Sequence, residues 1–285
     1  MLRTKPSRSS PLRLLSDRDR GQVIELCDRD PVVNVFVGAR VREAGLDPIR
    51  LGGQMWGYQP GDQLTSLCYV GANLVPVSAT PEAIAAFGAR ARALGRRCSS
   101  IVGLAADVHD LWGLLAPYWG RPREIRAAQP VMAISGPPAV APDPLVRRVR
   151  PDELGILLPA SIAMFTEEVG VSPLGADGGR AYRARVSELI AAGRAFARIE
   201  NGQVVFKAEI GSVTPRACQV QGVWVRPELR GRGLAEAGMA ALVTEALRTV
   251  APVVSLYVND FNLPARAAYR RVGFTEVATF ASVLF

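Results

Sequence analysis

The residues best placed to do chemistry lie in Val223-Trp224-Val225-Arg226-Pro227-Glu228-Leu229-Arg230-Gly231-Arg232-Gly233-Leu234-Ala235, where an apolar strand passes through a short turn into a helix rich in Ala and Leu. That arrangement reads as an anion cradle. Arg230, Gly231, Arg232 and Gly233 put flexible backbone at a helix start, where unpaired N–H groups and the helix dipole favour a phosphate. Glycine's missing side chain lets the phosphate come close. Taken alone, such a turn would serve many nucleotides or sugar phosphates. Other reactive residues show no comparable pattern: Cys27, Cys68, Cys98 and Cys218 are scattered without metal-ligand spacing, and the single histidine, His109, has apolar neighbours. They read as core cysteines and a surface or capped histidine, with no metal expected. Trp56, Trp112 and Trp119 likewise read as core.

The elements that must position this turn belong to a chain of 285 residues, long enough for two domains of ordinary size. The net charge of +8 might suggest nucleic acid, but its distribution argues against that. Nearly all of the positive charge is arginine, with Lys5 and Lys207 the only lysines, and no basic run is interleaved with aromatics. Anionic ligands are the better inference. No apolar run approaches the length that spans a bilayer, and no signal-peptide form follows the basic Met1 to Arg18 region, so a cytoplasmic protein without membrane partners is expected.

Residues 1–11 lack apolar periodicity and read as a mobile tail. In the first half, helices are expected over Asp17 to Cys27, Asn34 to Ala44, Pro81 to Leu94 and Asp107 to Tyr118. Strands are expected over Gly52 to Tyr58, Leu64 to Tyr69, Asn73 to Val77, Cys98 to Val102 and Glu124 to Ser135. The proline-rich stretch 136–144 cannot hold a helix or a central strand and is taken as the linker between domains 12–135 and 145–285. The second half opens with a strand, Leu145 to Arg150, and helices to Glu168 and over Arg180 to Ala192. Ala195 to Glu200 and Val204 to Ile210 form a hairpin on Asn201-Gly202. Cys218 to Val225, the helix Leu234 to Val250, the strand Val253 to Val258, the helix Pro264 to Val272 and a final strand region Thr275 to Phe285 complete the chain.

The turn Arg230-Gly231-Arg232-Gly233-Leu234-Ala235, followed by Asn262-Leu263-Pro264-Ala265-Arg266-Ala267-Ala268-Tyr269-Arg270-Arg271-Val272-Gly273-Phe274, resembles the GNAT acetyltransferases. Either motif alone would be weak; the pair in this order is specific, and it covers about Leu145 to Phe285. The resemblance implies acetyl-coenzyme A as co-substrate. Main-chain groups of Val223, Trp224 and Val225 would line its pantetheine arm. Arg230, Gly231, Arg232, Gly233, Leu234 and Ala235, with Glu236 beyond, would wrap its pyrophosphate. Asn262 would contact the cofactor, or stand as a plain helix cap. Tyr269 would return a proton to the departing thiolate, or pack in the core.

The general base is less determined. Glu209 is the first candidate, with Glu168 and Glu167 next; each has a structural alternative, Glu209 as a paired strand residue and the other two as a solvated helix end. Some relatives carry a glutamate five residues before the motif asparagine, where this chain has Tyr257, so a water relay or an already neutral amine stays open.

The first half echoes the helix and strand order of the second, with Val75-Pro76-Val77-Ser78-Ala79-Thr80-Pro81 where the cradle should stand. Two prolines remove amide donors there and no glycine is present. The expected fold is therefore α/β (α+β): two tandem GNAT-like domains, each a twisted, mixed and mainly antiparallel sheet flanked by helices. The first would lack a cofactor site and would support the second or help shape its acceptor cleft. The expected activity is acetyl transfer to an amine of a small molecule or protein by direct attack, with a non-catalytic acyl-coenzyme A sensor as the alternative. A homo-oligomer stays open.

Overall fold

The computed structural model describes residues 10–175 and 177–285, so most of the tail expected over 1–11 lies outside the described residues. The chain divides into two units: one takes in residues up to Gln129 together with Thr279–Phe285, the other Pro130–Ala278.

The first unit holds β1 (Leu12–Leu14), α1 (Arg20–Asp28), α2 (Val35–Ala44), α3 (Pro48–Leu51), β2 (Gly53–Tyr58), β3 (Ser66–Gly71), β4 (Asn73–Val77), α4 (Pro81–Leu94), β5 (Ser100–Leu104) and α5 (Ala105–Trp119), followed by the start of β6 (Glu124–Ile134). The second holds the end of β6, then β7 (Arg147–Arg148), α6 (Leu154–Val169), α7 (Arg180–Ala191), β8 (Ala195–Glu200), β9 (Gln203–Val213), β10 (Cys218–Val225), α8 (Leu234–Thr249), β11 (Val254–Tyr257), α9 (Leu263–Val272) and the start of β12 (Thr275–Leu284).

Both sheets follow one plan. The strand order in the first is β1-β2-β3-β4-β5-β12 and in the second β7-β8-β9-β10-β11-β6. In each, the first four strands pair antiparallel. The fourth and fifth run parallel, through Asn73↔Ser100 and Leu74↔Ile101 in one and Cys218↔Val254 and Gln219↔Ser255 in the other. The sixth strand of each comes from the far half of the sequence. Phe280–Leu284 of β12 pair with Ser100–Leu104, and Val131–Ile134 of β6 pair with Val254–Tyr257. The units are thus not cut at the proline-rich stretch 136–144, because strand pairing, which is non-local, outranks the local chain break.

The sheet of the second unit is covered on both faces. On one face, Met239, Leu242, Val243 and Ala246 of α8 recur at helical spacing and bury against Phe206, Val220, Val225, Val254 and Leu256. On the other, Leu157 of α6 and Val186, Leu189 and Ile190 of α7 pack on Ala195, Ala197 and Val204. The strand expected over Leu145 to Arg150 shrinks to two residues, since Asp143 and Leu145 are taken up in a turn in which the Asp143 carboxylate accepts from the Leu145 N–H at 2.9 Å.

Candidate active site

The cradle forms where β10 ends. Pro227–Leu229 make one 3₁₀ turn, and Gly231 and Gly233 then take φ of +74° and +77° before α8 begins. Neither glycine faces an atom that a Cβ would meet, so it is the left-handed backbone that requires them. Gly233 is the N-cap residue of α8 and supplies no side-chain cap. The first two N–H groups of the helix, of Leu234 and Ala235, therefore have no side-chain acceptor from the cap.

The strand leading to the cradle parts from its neighbour. Only Cys218 and Gln219 of β10 are paired to β11, and further along the two strands share no register. Main-chain groups alternate sides along a strand. Since the Arg226 N–H donates to Val205 O of β9 at 3.0 Å, the Val225 N–H and C=O turn to the side that β11 has left. The Val225 carbonyl is there met by Arg230 Nε at 3.0 Å. A bulge between Gln221 and Trp224 adds to the divergence. Its Gly222 has φ +61°, and a Cβ there would come within 3.0 Å of the Glu209 carboxyl carbon.

The candidate carboxylates separate into two environments. Glu209, 7 % exposed, accepts from Lys207 Nζ at 3.1 Å and from Gln221 Nε2 at 3.0 Å. Lys207 is itself only 1 % exposed, so this is a buried, neutralised pair. Glu167 and Glu168 sit exposed in the last turn of α6. Glu167 accepts from Trp224 Nε1 at 3.2 Å and from Arg230 Nη2 at 2.6 Å. Glu168 accepts from Asn259 Nδ2 at 3.1 Å. A cavity of about 560 Å³ opens beside Trp224, between Ala163 and Glu167 on one side and Arg226 to Leu229 on the other.

Tyr269 lies on α9, 7 % exposed, with its ring 6.0 Å from that of Phe274. Burial holds its phenol well above the ordinary range, and the negative charge of Glu168 adds to the effect. The group stays protonated at neutral pH. Asn262 caps α9, its Oδ1 accepting from the Ala265 N–H at 3.2 Å. Glu236 is bound by Arg271 Nη2 at 2.6 Å, and Arg232 reaches only the Glu228 carbonyl, at 3.4 Å. All four cysteines are buried, with Cys27 and Cys218 pushed up to about 12 by burial, which makes them poor nucleophiles. Among the described residues no three His, Cys, Asp or Glu side chains gather as metal ligands, and no helix is long and apolar enough to cross a membrane.

The family model described as "Acetyltransferase (GNAT) family" matches residues 171–274, a span that takes in the cradle, the parted strands, Asn262 and Tyr269. Residues 171–274 are thus similar to the GNAT acetyltransferases. A second model, described as "Domain of unknown function (DUF4081)", matches residues 53–157. No curated protein matches the chain. Solved structures show the fold over almost its whole length. A GCN5-related N-acetyltransferase from Sphaerobacter thermophilus is 17 % identical, with 97 % of this chain and 96 % of that one covered and a TM-score of 0.60. An acetyltransferase of the GNAT family from Colwellia psychrerythraea is 12 % identical, with coverages of 96 % and 99 % and a TM-score of 0.55. A tandem GNAT protein from the clavulanic acid biosynthesis pathway is 16 % identical, with coverages of 96 % and 98 % and the same TM-score, 0.55. The chain therefore has the fold of two GNAT-like domains.

Within the second unit the structure brings Glu168 close enough to Tyr269 for its charge to act on the phenol, and ties Glu167 to Trp224 and Arg230. It sets Glu209 apart in the pair with Lys207. Asn259, Gln221, Lys207 and Gly222 are not among the residues that sequence reasoning singled out. A lone glycine inside a strand pattern, Gly222, is a bulge signal that would have found one of them.

Proposed function

We propose that the second GNAT-like domain moves an acetyl group from acetyl-coenzyme A to an amine by direct attack. The observation that carries this reading is the uncapped start of α8, with Gly231 and Gly233 in left-handed backbone, at the end of a strand whose outer main-chain groups have lost their partner strand. The amides of the cradle would hold the pyrophosphate, with the main chain of Val223 to Val225 along the pantetheine arm.

The amine nitrogen attacks the thioester carbonyl carbon, and the Val225 N–H would stabilise the oxyanion that forms. As the C–S bond breaks, Tyr269 gives its proton to the departing sulfur. The proton lost by the amine passes to Glu168, which has solvent access, in preference to Glu209, whose two oxygens are held by Lys207 and Gln221. The acceptor is an amine of a small molecule or of a protein, and the carboxylates of α6 favour a cationic one.

Consumption of acetyl-coenzyme A by the full chain over a panel of amines and peptides tests the reading. Tyr269→Phe is expected to lower kcat by about 10²–10⁴-fold and to leave acetyl-coenzyme A affinity unchanged. Tight binding of acetyl-coenzyme A with no turnover on any acceptor would instead favour a sensor of acyl-coenzyme A.

A further inference from the structure

The last turn of α6 reaches both strands that part at the cleft. Glu167 is held from the β10 side, by Trp224 and Arg230. Glu168, the next residue, is held from the segment that follows β11, by Asn259. The two holds differ in kind. Arg230 and Glu167 are both about half exposed, so their ion pair is screened and weak. Asn259 is 6 % exposed, and a buried amide donating to a carboxylate is a charge-assisted bond from a fixed support.

Asn259 is fixed in turn by its own backbone. Its carbonyl accepts from the Asn262 N–H at 3.0 Å, in the turn that delivers the cap of α9, the helix that carries Tyr269. An exposed glutamate otherwise spreads over many rotamers, and ordering it costs entropy. From this geometry we infer that Asn259 is a positioning residue: it fixes the Glu168 carboxylate at the site where the amine loses its proton, in register with the helix that presents Tyr269. The inference rests on the acetyl-transfer reading. Glu167, Arg230 and Tyr269 are ionisable groups tied into this cluster.

The test uses the full chain with an amine acceptor that the wild-type protein turns over. Asn259→Ala is expected to lower kcat by about 10–100-fold, a part of the range for proton transfer by a side chain, with acetyl-coenzyme A affinity and thermal unfolding close to wild type. Its loss is expected not to multiply with that of Glu168→Gln, because both variants remove one unit. Asn259→Asp retains the side-chain size and puts a second carboxylate beside Glu168. Like charges disfavour ionisation, so the rising limb of the kcat/KM profile is expected to move to higher pH. An Asn259→Ala enzyme with unchanged kcat, or losses that multiply with those of Glu168→Gln, would overturn the positioning role alone. A wild-type protein that binds acetyl-coenzyme A and acetylates nothing would overturn the acetyl-transfer reading and the positioning role together.

Discussion

Helices α4 and α8 occupy the same place in the same strand plan, each following the fourth strand of its sheet, and they differ in what fills the first turn. At α4, Thr80 Oγ1 accepts from the Ala83 N–H at 3.2 Å, and Pro81 has no N–H to offer. At α8, Gly233 leaves the first turn without a side-chain cap. The first helix start has a side-chain acceptor and a proline in place of one donor, and the second has neither. The parallel pairing of the fourth and fifth strands is equally short in both sheets, at two residue pairs each. Two-residue parallel pairing is therefore common to both sheets, although in the first Pro76 still lies against Gly103 and simply has no N–H to donate; the uncapped glycine turn belongs to one loop alone.

The largest expected effect comes from giving α8 what α4 has. Gly233→Asp places a capping carboxylate at the start of α8, and aspartate tolerates left-handed backbone better than most residues. Its charge opposes a phosphate in the same place. Acetyl-coenzyme A affinity, measured by calorimetry, is expected to fall by at least ~100-fold, about 3 kcal/mol, while the chain stays folded. An affinity within about fivefold of wild type, about 1 kcal/mol, would remove the cradle from the binding site and with it the functional contrast between the two helices.

The contrast between the two helix starts was open to inspection in the sequence because it is local. Glycines before an Ala/Leu helix, or threonine and proline before another, specify backbone and donors within a few residues. The Asn201-Gly202 hairpin was legible for the same reason, and both residues do take positive φ, +50° and +70°. The exchanged sixth strands were not legible, since Glu124–Ile134 and Thr275–Leu284 carry a strand pattern and no mark of which sheet will take them. The carboxylates show the same limit. That Glu209 meets Gln221 follows from cross-strand register beside a bulge, and that Glu168 meets Asn259 depends on how α6 lies against the loop after β11; Lys207, two residues from Glu209 on one strand, shares its face by alternation alone. Short elements also escaped: β1 and α3, at three and four residues, are too brief for any periodicity.

A second pair of residues extends the comparison to pH. In the second unit, hydrogen bonding from Arg147 holds Glu153, at the start of α6, down at about 2, with the Arg150 N–H and the charges of both arginines assisting. In the first unit, burial lifts Asp107, in the first turn of α5, to about 6, with Asp110 adding to the effect. The signs are opposite. A depressed carboxylate contributes stability above its unfolded value, so Glu153→Gln should lie below wild type at pH 7. That gap should close as pH falls from 4.5 towards about 2. A raised carboxylate binds more protons folded than unfolded, so wild-type stability falls as pH rises from 3.8 through about 6, and Asp107→Asn should lie above wild type beyond that window. Each difference is expected at about 1 kcal/mol once solvent screening is allowed for at the exposed Arg147 and Arg150 and at the half-buried Asp107. Urea unfolding of both variants between pH 3 and pH 8 measures them, and gaps that move in the same direction with pH would remove this part of the contrast.

The smallest expected effect is at α4 itself. Thr80→Ala removes the hydroxyl that accepts from the Ala83 N–H and should cost about 1 kcal/mol in unfolding of the first unit. Thr80→Gly should cost only a few tenths, since glycine leaves the orphan donors open to water. Neither is expected to create a second acetyl-coenzyme A site. Pro81 still withholds one amide, and the backbone before it, apart from Ser78 at φ +49°, has no glycine to fold into a nest of N–H groups. A binding stoichiometry of two per chain in Thr80→Gly would mean that the threonine cap alone keeps the first unit empty. A stoichiometry of one, with lowered stability in Thr80→Ala, would assign the loss of the site to the whole of the segment from Pro76 to Pro81.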